Sequence, residues 1–322
     1  MSNYRRRGKG AGNLACQLSL ELARRGEKLV LLDIAERPVA PLPSGCEYVR
    51  TDLSVQGSLA QAIERFRPNT IVHLASLLSA SCEADRPRAW RVNMDATFEL
   101  FESALATGVN SVLFPSSVAS YGGNLPDPLP EDFPQWPQGL YGVTKLAIER
   151  LGVYYHQRHG LDFRCLRIPV VVSRHAPAGA ASAYVSRAFV EAVQRGRFVF
   201  PVPPNTRIAV IYILDILRGI TLLLDAPAQR LTRRVYNVHG LAPSADQIRR
   251  AILATLPQTH ISFNPDPGLT ALISTWPAEI IDESARRDWG WSPAYDLPAM
   301  TEHFISEIRA RLQHNDESGN AS

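Results

Sequence analysis

Short apolar runs that do not alternate with polar residues recur along this chain, each followed by a stretch with helical spacing. This rhythm restricts the fold more than any other feature. Leu29, Val30, Leu31 and Leu32 end at Asp33. Thr70, Ile71, Val72, His73 and Leu74 end at Ala75 and Ser76. Val112, Leu113 and Phe114 end at Pro115, Ser116 and Ser117, and the run 163–168 ends at Pro169. Strands covered on both faces read this way, because neither face meets water. Between them, Leu14, Leu18 and Leu22 put one apolar stripe on a helix over about 13–25. Leu59, Ala62, Ile63 and Phe66 do the same before Pro68, and the segments 89–107 and 141–159 predict two more helices. Repeated strand–helix units imply an α/β chain with a doubly wound parallel sheet and helices on both faces. In such a sheet, ligands bind at the carboxyl ends of the strands, where the strand order reverses.

The start of the chain fits a nucleotide-binding turn only in part. Glycines let the backbone approach a pyrophosphate, and the helix that follows offers its N-terminus to the negative charge. Gly10 and Gly12 fit that tight turn, Asn13 and Leu14 open the helix, and Ala15 is small enough for close helix–sheet packing. Lys9 stands where the first glycine of a GxxGxxG pattern is usual. The strand expected before it contains Arg5, Arg6 and Arg7, which a central strand buries only at high cost. Asp33, about twenty residues on, is placed to accept from ribose hydroxyls. Its charge would repel a 2′-phosphate, which favours NAD over NADP, although Arg37 stands nearby.

After about residue 173 the rhythm weakens. A loop at Ala176, Pro177, Ala178 and Gly179 precedes a helix over 182–195. Later come a short strand at Val235, Tyr236, Asn237 and Val238, and helices over 245–253 and 298–312. The expected division is a dinucleotide-binding Rossmann domain over 1–173 to which some later segments return, a smaller α/β substrate lobe over 174–313, and a polar, disordered tail over 314–322.

The balance of charge bears on partners. A net charge of +3 over 322 residues gives no reason to expect nucleic acid or a membrane surface. No apolar stretch reaches the ~18 residues of a membrane span, and no apolar run follows the basic start as a secretory signal requires. Cys16, Cys46, Cys82 and Cys165 form no CxxC pair and no histidine sits at zinc spacing, so free thiols, no metal site and a reducing cytoplasm are expected.

The candidate chemistry lies in Tyr141, Gly142, Val143, Thr144 and Lys145. A tyrosine and a lysine four apart share one helix face. The ammonium is expected to lower the phenol's pKa so that it exchanges a proton near neutrality. Ser117, just beyond a buried strand, is placed to hydrogen-bond the reacting oxygen, with Ser116 and Ser120 as rivals. Five prolines from Pro126 to Pro137 make a semi-rigid loop suited to border a pocket.

"PSSVASYG" followed by "YGVTKLAIE" resembles the extended short-chain dehydrogenases, the NAD-dependent epimerase/dehydratase group. "HLASLLSASCE", "AWRVNMDA", "GLDFRCLRIP", "PPNTRIAVIYILDILRG", "RVYNVHG" and "DESARRDWGWSPAYDLPAM" are similar to the short-chain type of L-threonine 3-dehydrogenase within that group. The resemblance implies that Tyr141 is the general base on a substrate hydroxyl, that Ser117 steadies the developing oxyanion, and that Lys145 holds the cofactor ribose. It also implies that Asp33, Asp52, Leu53, Leu74, Ala75, Asn93 and Pro169 line the cofactor site. It implies a homodimer on the helices over 89–107 and 141–159.

For the substrate, the resemblance assigns contacts to Ser79, Ser117 and Tyr141. Where threonine dehydrogenases of this type carry Thr-Thr-Asp before a tyrosine, this chain has Ala181, Ser182 and Ala183 before Tyr184. Ser182 keeps one oxygen of that set, and the carboxylate that would pair with an ammonium is gone. Arg207 matches a family arginine suited to a carboxylate, with a surface ion pair as its plainer reading, and Trp276 also matches. A small hydroxy or keto compound without an amine is therefore expected. The alternatives are a sugar-nucleotide epimerase or dehydratase using the same three residues, and a non-catalytic protein with an impaired glycine loop.

Overall fold

The computed structural model of the chain describes residues 12–38, 40–174 and 180–319. The chain begins with α1 (Gly12–Arg24), β1 (Leu29–Asp33), β2 (Cys46–Arg50), α2 (Ser58–Phe66) and β3 (Thr70–Val72). Next come α3 (Ser79–Ala84), α4 (Arg86–Trp90) and α5 (Ala96–Thr107), the last two joined by a π-helical turn, Arg91–Asp95. β4 (Ser111–Ser117) runs into a 3₁₀ turn, Val118–Ser120, and α6 (Leu140–His159) leads to β5 (Asp162–Ile168) and β6 (Val170–Val172). Then follow α7 (Ala183–Arg195), β7 (Arg197–Phe200), β8 (Val210–Tyr212), α8 (Ile213–Asp225), β9 (Val235–Asn237) and α9 (Ala245–Thr255). β10 (His260–Phe263), α10 (Pro267–Ile273), α11 (Glu283–Trp289) and α12 (Leu297–Gly319) complete the described chain.

The four apolar runs are strands, and the fold is α/β with parallel pairing. β1 pairs in parallel with β2 from Leu29 opposite Cys46 to Asp33 opposite Arg50. β3 pairs in parallel with β4 from Thr70 opposite Ser111 to Val72 opposite Leu113. β3, β4, β5 and β9 form a four-stranded sheet in that order, and β6 with β8 and β7 with β10 make two further parallel pairs. The strand expected at Arg5, Arg6 and Arg7, and the glycine turn at Gly10, lie outside the described residues.

The described residues fall into two compact units. One holds residues up to 120 together with 137–166 and 223–235, and the other holds 121–136, 167–222 and 236–319. The expected boundary at 173 therefore moves to 166/167. The proline-rich loop 121–136 belongs to the second unit, while 223–235 returns to the first. Two further expectations are corrected. The helix over 89–107 is interrupted by the wide turn Arg91–Asp95, and the polar tail continues α12 to Gly319 instead of being disordered. Lengthening an existing helix adds one hydrogen bond per residue fixed and avoids the costly first turn, so a polar sequence can be carried along.

In the first unit α5 and α6 pack on the sheet. Leu100, Phe101, Ala104, Ile148 and Tyr155 cover Val112, Phe114, Phe163 and Cys165. Phe101 stacks on Tyr155 with ring centres 4.8 Å apart and meets Phe163 edge-on at 5.8 Å. Each large side chain so buried contributes about 1.5–3 kcal/mol. α6 approaches β5 so closely that a Cβ at Gly152 would stand 2.4 Å from the Phe163 ring. In the second unit Phe304 meets Phe189 and Tyr212, and Phe200 stacks on Phe263. Several of the unit's buried polar groups are partnered, while the Tyr184 hydroxyl and Trp289 Nε1 are not. Trp291 Nε1 and the backbone N–H of His239 donate to Asp282, and the Tyr236 hydroxyl donates to Asp288. Among the described residues no three His, Cys, Asp or Glu side chains converge to hold a metal, and no helix is long and apolar enough to cross a membrane.

Candidate active site

β4 ends at Ser117 and α6 begins at Leu140, and a glycine brings the two together. A Cβ at Gly142 would lie 2.3 Å from the Ala119 carbonyl oxygen and 2.8 Å from Pro137 Cβ. Only glycine permits this approach, which sets the first turn of α6 against the 3₁₀ turn that follows β4. Tyr141, beside that glycine, is hydrogen-bonded to the Ser117 hydroxyl. Ser117 Oγ also accepts from the Ala119 N–H at 3.2 Å. The rival serines are placed differently. Ser116 is buried and donates to Glu149 Oε1 at 2.5 Å, and Ser120 is fully buried in the turn. The oxygen beside the phenol is that of Ser117.

Lys145 lies one turn further along α6 and is 4% exposed. Its Nζ donates to the Pro115 carbonyl at 2.7 Å and stands 4.2 Å above the Phe114 ring and 5.5 Å from the centre of the Tyr141 ring. Burial pushes its ammonium down to about 8, against the opposing influence of Cys165, Glu149 and Cys82. The phenol of Tyr141 departs from the sequence expectation. Burial pushes it up to about 12, and the Ser117 hydrogen bond only partly opposes that. The ammonium does not offset the burial. It points at a backbone carbonyl, and desolvation weakens it too.

A second layer fixes these groups. Asn93, in the π-helical turn, accepts from the Leu77 N–H at 2.8 Å and donates to the Leu77 carbonyl at 3.1 Å and to Thr144 Oγ1 at 3.2 Å. It ties the loop after β3 to the helix that carries Tyr141 and Lys145. His73 contacts Thr97 Oγ1 at 3.0 Å and stacks on Phe114. The Thr97 hydroxyl donates to the Asn93 carbonyl, so His73 Nε2 carries the proton in its contact with Thr97. Burial, then the nearby Lys145, push His73 down to about 4, so it is neutral at physiological pH.

The other residues singled out from sequence are placed as follows. Gly12, Asn13 and Leu14 form the first turn of α1, which holds no acidic residue. Asp33 ends β1, and its Oδ1 accepts from the Ala35 N–H at 2.9 Å. Asp52 accepts from both the N–H and the hydroxyl of Ser54, at 2.9 and 2.7 Å. Partial burial works against its charge, but these bonds, with Arg88 and Arg50, outweigh it and hold the carboxyl below its usual range. Asp52 also lines a cleft of about 370 Å³ with Thr51, Val55, Ser58 and Gln61, and that cleft contains none of Ser117, Tyr141 and Lys145. Leu53 packs against the core, Leu74 and Ala75 are half-buried after β3, and Ser79 opens α3, exposed. Pro169, Ser182 and Arg207 fall in the second unit. Ser182 precedes α7 without capping it. Arg207 Nη2 donates to Glu279 at 2.7 Å and its Nε to the Ala242 carbonyl. Trp276 is half-buried.

Sequence reasoning missed Glu149 and the structural use of Gly142 and Ser116. The signal for Glu149 was available: it stands four residues after Lys145, on the same helix face. The described residues suit a nicotinamide dinucleotide. A helix start free of acid favours a pyrophosphate, Asp33 keeps Oδ2 for ribose hydroxyls, and Tyr141 with Lys145 forms a phenol–ammonium pair.

The pattern of the NAD dependent epimerase/dehydratase family matches residues 10–238, and the chain belongs to that family. It is an enzyme with a Rossmann-type fold that uses a nicotinamide cofactor and acts on small molecules. Within the family it is an oxidoreductase that resembles the L-threonine 3-dehydrogenases. It is 33% identical over 301 residues to the mitochondrial L-threonine 3-dehydrogenase of Bos taurus, covering 92% of this chain and 80% of that protein. Its fold is similar to the solved L-threonine dehydrogenase of Clostridium difficile, with a TM-score of 0.86, 28% identity and coverage of 93% and 95% of the two chains. It is also similar to a monomeric L-threonine 3-dehydrogenase from a metagenome, with a TM-score of 0.83, 28% identity and coverage of 93% and 96%.

Proposed function

We propose that this enzyme uses NAD to oxidise a small 3-hydroxy compound lacking an amine, or to reduce the matching ketone. The placement of Ser117 and Lys145 around the Tyr141 phenol is the observation that carries the reading. Tyr141 takes the hydroxyl proton and Ser117 holds the reacting oxygen, with the Lys145 ammonium 5.5 Å from the centre of the phenol ring. A bound nicotinamide supplies the acceptor for the hydride.

Charge argues against an amine on the substrate. Ala181 and Ala183 flank Ser182 at the positions where the resemblance to threonine dehydrogenases implies a threonine and an aspartate. An ammonium left without its carboxylate loses about 2–5 kcal/mol, or about 1.5–3.5 orders of magnitude in affinity. Asp33 supports NAD over NADP, since its carboxylate repels a 2′-phosphate. Calorimetric titration of the full chain is expected to show micromolar binding of NAD and at least about tenfold weaker binding of NADP. With NAD present, 3-hydroxybutyrate is expected to surpass L-threonine in kcat/KM. Tighter NADP binding would reverse the cofactor assignment, and efficient threonine oxidation the substrate assignment.

The reading includes a homodimer on α5 and α6. Phe98 is 52% and Tyr154 49% exposed, a large apolar area for two helices of one unit to leave in water. Sedimentation of the same sample reads the assembly, and a monomer at micromolar concentration overturns this part. The four cysteines are free thiols, which fits a reducing compartment such as the cytoplasm.

A further inference from the structure

Three of the chain's 34 basic residues are lysines: Lys9, Lys28 and Lys145. Lys145 alone lies among the buried residues of the active site. The groups that face it come from four elements and from its own helix. Tyr141 precedes it by one turn and Glu149 follows it by one turn on α6. β4 brings the Pro115 carbonyl and the Phe114 ring, β5 brings Cys165, α3 brings Cys82, and neutral His73 stands after β3. Glu149 is the carboxylate of this set. It is 0% exposed and accepts from Ser116 Oγ at 2.5 Å. A carboxylate is not buried this deeply without donors and a compensating charge.

Two further hydrogen bonds between α6 and the end of β4 alternate along the chain. Lys145 donates to the Pro115 carbonyl, and the next residue, Ser116, donates to Glu149. Ser117, which meets the Tyr141 phenol, follows directly. We propose that Glu149 is a positioning residue of the active site: through Ser116 it fixes the end of β4 that presents Ser117, and one helical turn from Lys145 it stands as that lysine's counter-charge. The inference rests on the oxidoreductase reading, but the titration that tests its charge does not.

The sign of the effect is set by burial. Burial drives the proton off Lys145, and Cys165 and then the carboxylate one turn away oppose it. Without that carboxylate the lysine loses its proton at a lower pH. The full chain, grown with lysine carrying ¹³C at Cε, gives a spectrum with three lysine positions, and Lys145→Met identifies the one that matters. In the unsubstituted protein its inflection is expected at about 8. Glu149→Gln keeps the shape and can still accept from Ser116. Its inflection is expected about one pH unit lower. Ser116→Ala keeps the charge, so the inflection stays in place while kcat falls about tenfold at nearly constant KM.

An inflection at the same pH in Glu149→Gln and the unsubstituted protein overturns the counter-charge role. An undiminished kcat in Ser116→Ala overturns the anchoring role. If Glu149→Gln does not fold, Glu149→Asp moves the charge one methylene away, and a smaller downward movement is expected. No movement in that variant also overturns the proposal. The titration requires neither NAD nor substrate, so a protein that fails to bind NAD but shows the shift sinks the functional reading alone.

Discussion

Tyr141→Phe is expected to lower kcat by about a thousandfold and to leave the fold as it is. The change removes one oxygen, the only atom of the side chain able to take the substrate's proton, and positioned acid–base groups contribute about 10²–10⁴-fold. The ring remains, with its place 5.5 Å from the Lys145 ammonium. No buried partner is orphaned, because Ser117 Oγ still accepts from the Ala119 N–H. Turnover of the 3-hydroxy substrate, measured with the circular dichroism melt of the same preparation, checks both halves. A variant that keeps a tenth of its kcat would remove Tyr141 from the chemistry. A variant that loses its melt as well would show the oxygen to be structural.

Gly152→Ala is expected to destabilise the protein by about 3 kcal/mol or more, although alanine is the better helix former. Helix propensity favours alanine by about 0.5–1 kcal/mol in a helix interior. Against this, the added Cβ would stand 2.4–2.5 Å from three atoms of the Phe163 ring. Phe163 is 0% exposed and is held edge-on by Phe101, so the ring has nowhere to retreat. Overpacking of a close-packed core costs about 1–3 kcal/mol, and more where a rigid ring is struck. Denaturant melts measure the loss. Phe163→Leu in the same chain should recover part of it, and a double-mutant cycle without coupling would sink the account.

Parts of this architecture could be read from the sequence because they follow from local pattern. The runs at Leu29, Thr70, Val112 and Phe163 became β1, β3, β4 and β5, since a strand buried on both faces has no polar face to alternate with. Cys46, Glu47, Tyr48, Val49 and Arg50 mix polar with apolar residues, and β2 passed unseen. The pair Tyr141 and Lys145 was legible as one helix face. Ser117 was preferred to Ser116 there too, but what occupies Ser116 was not legible, because Glu149 lies 33 residues from it and meets it only in three dimensions. The phenol was misjudged for a related reason. Spacing shows that an ammonium is near, but not that burial outweighs it. The break in the long helix at Arg91–Asp95 carries no proline or glycine to announce it.

The burial of Lys145 sets the enzyme's chemistry against its own durability. In an unfolded chain the lysine holds its proton up to the ordinary 10.5, whereas in the fold it does so only to about 8. The unfolded state therefore binds the proton more tightly. Folding is weaker by about 3 kcal/mol at any pH below 8, and regains that amount as the pH rises from 8 to 10.5. Lys145→Met should lose the rise in melting temperature between pH 8 and 10.5 while turning nothing over. The pH at which the fold is firmest is therefore displaced above the pH at which the ammonium its chemistry needs is present.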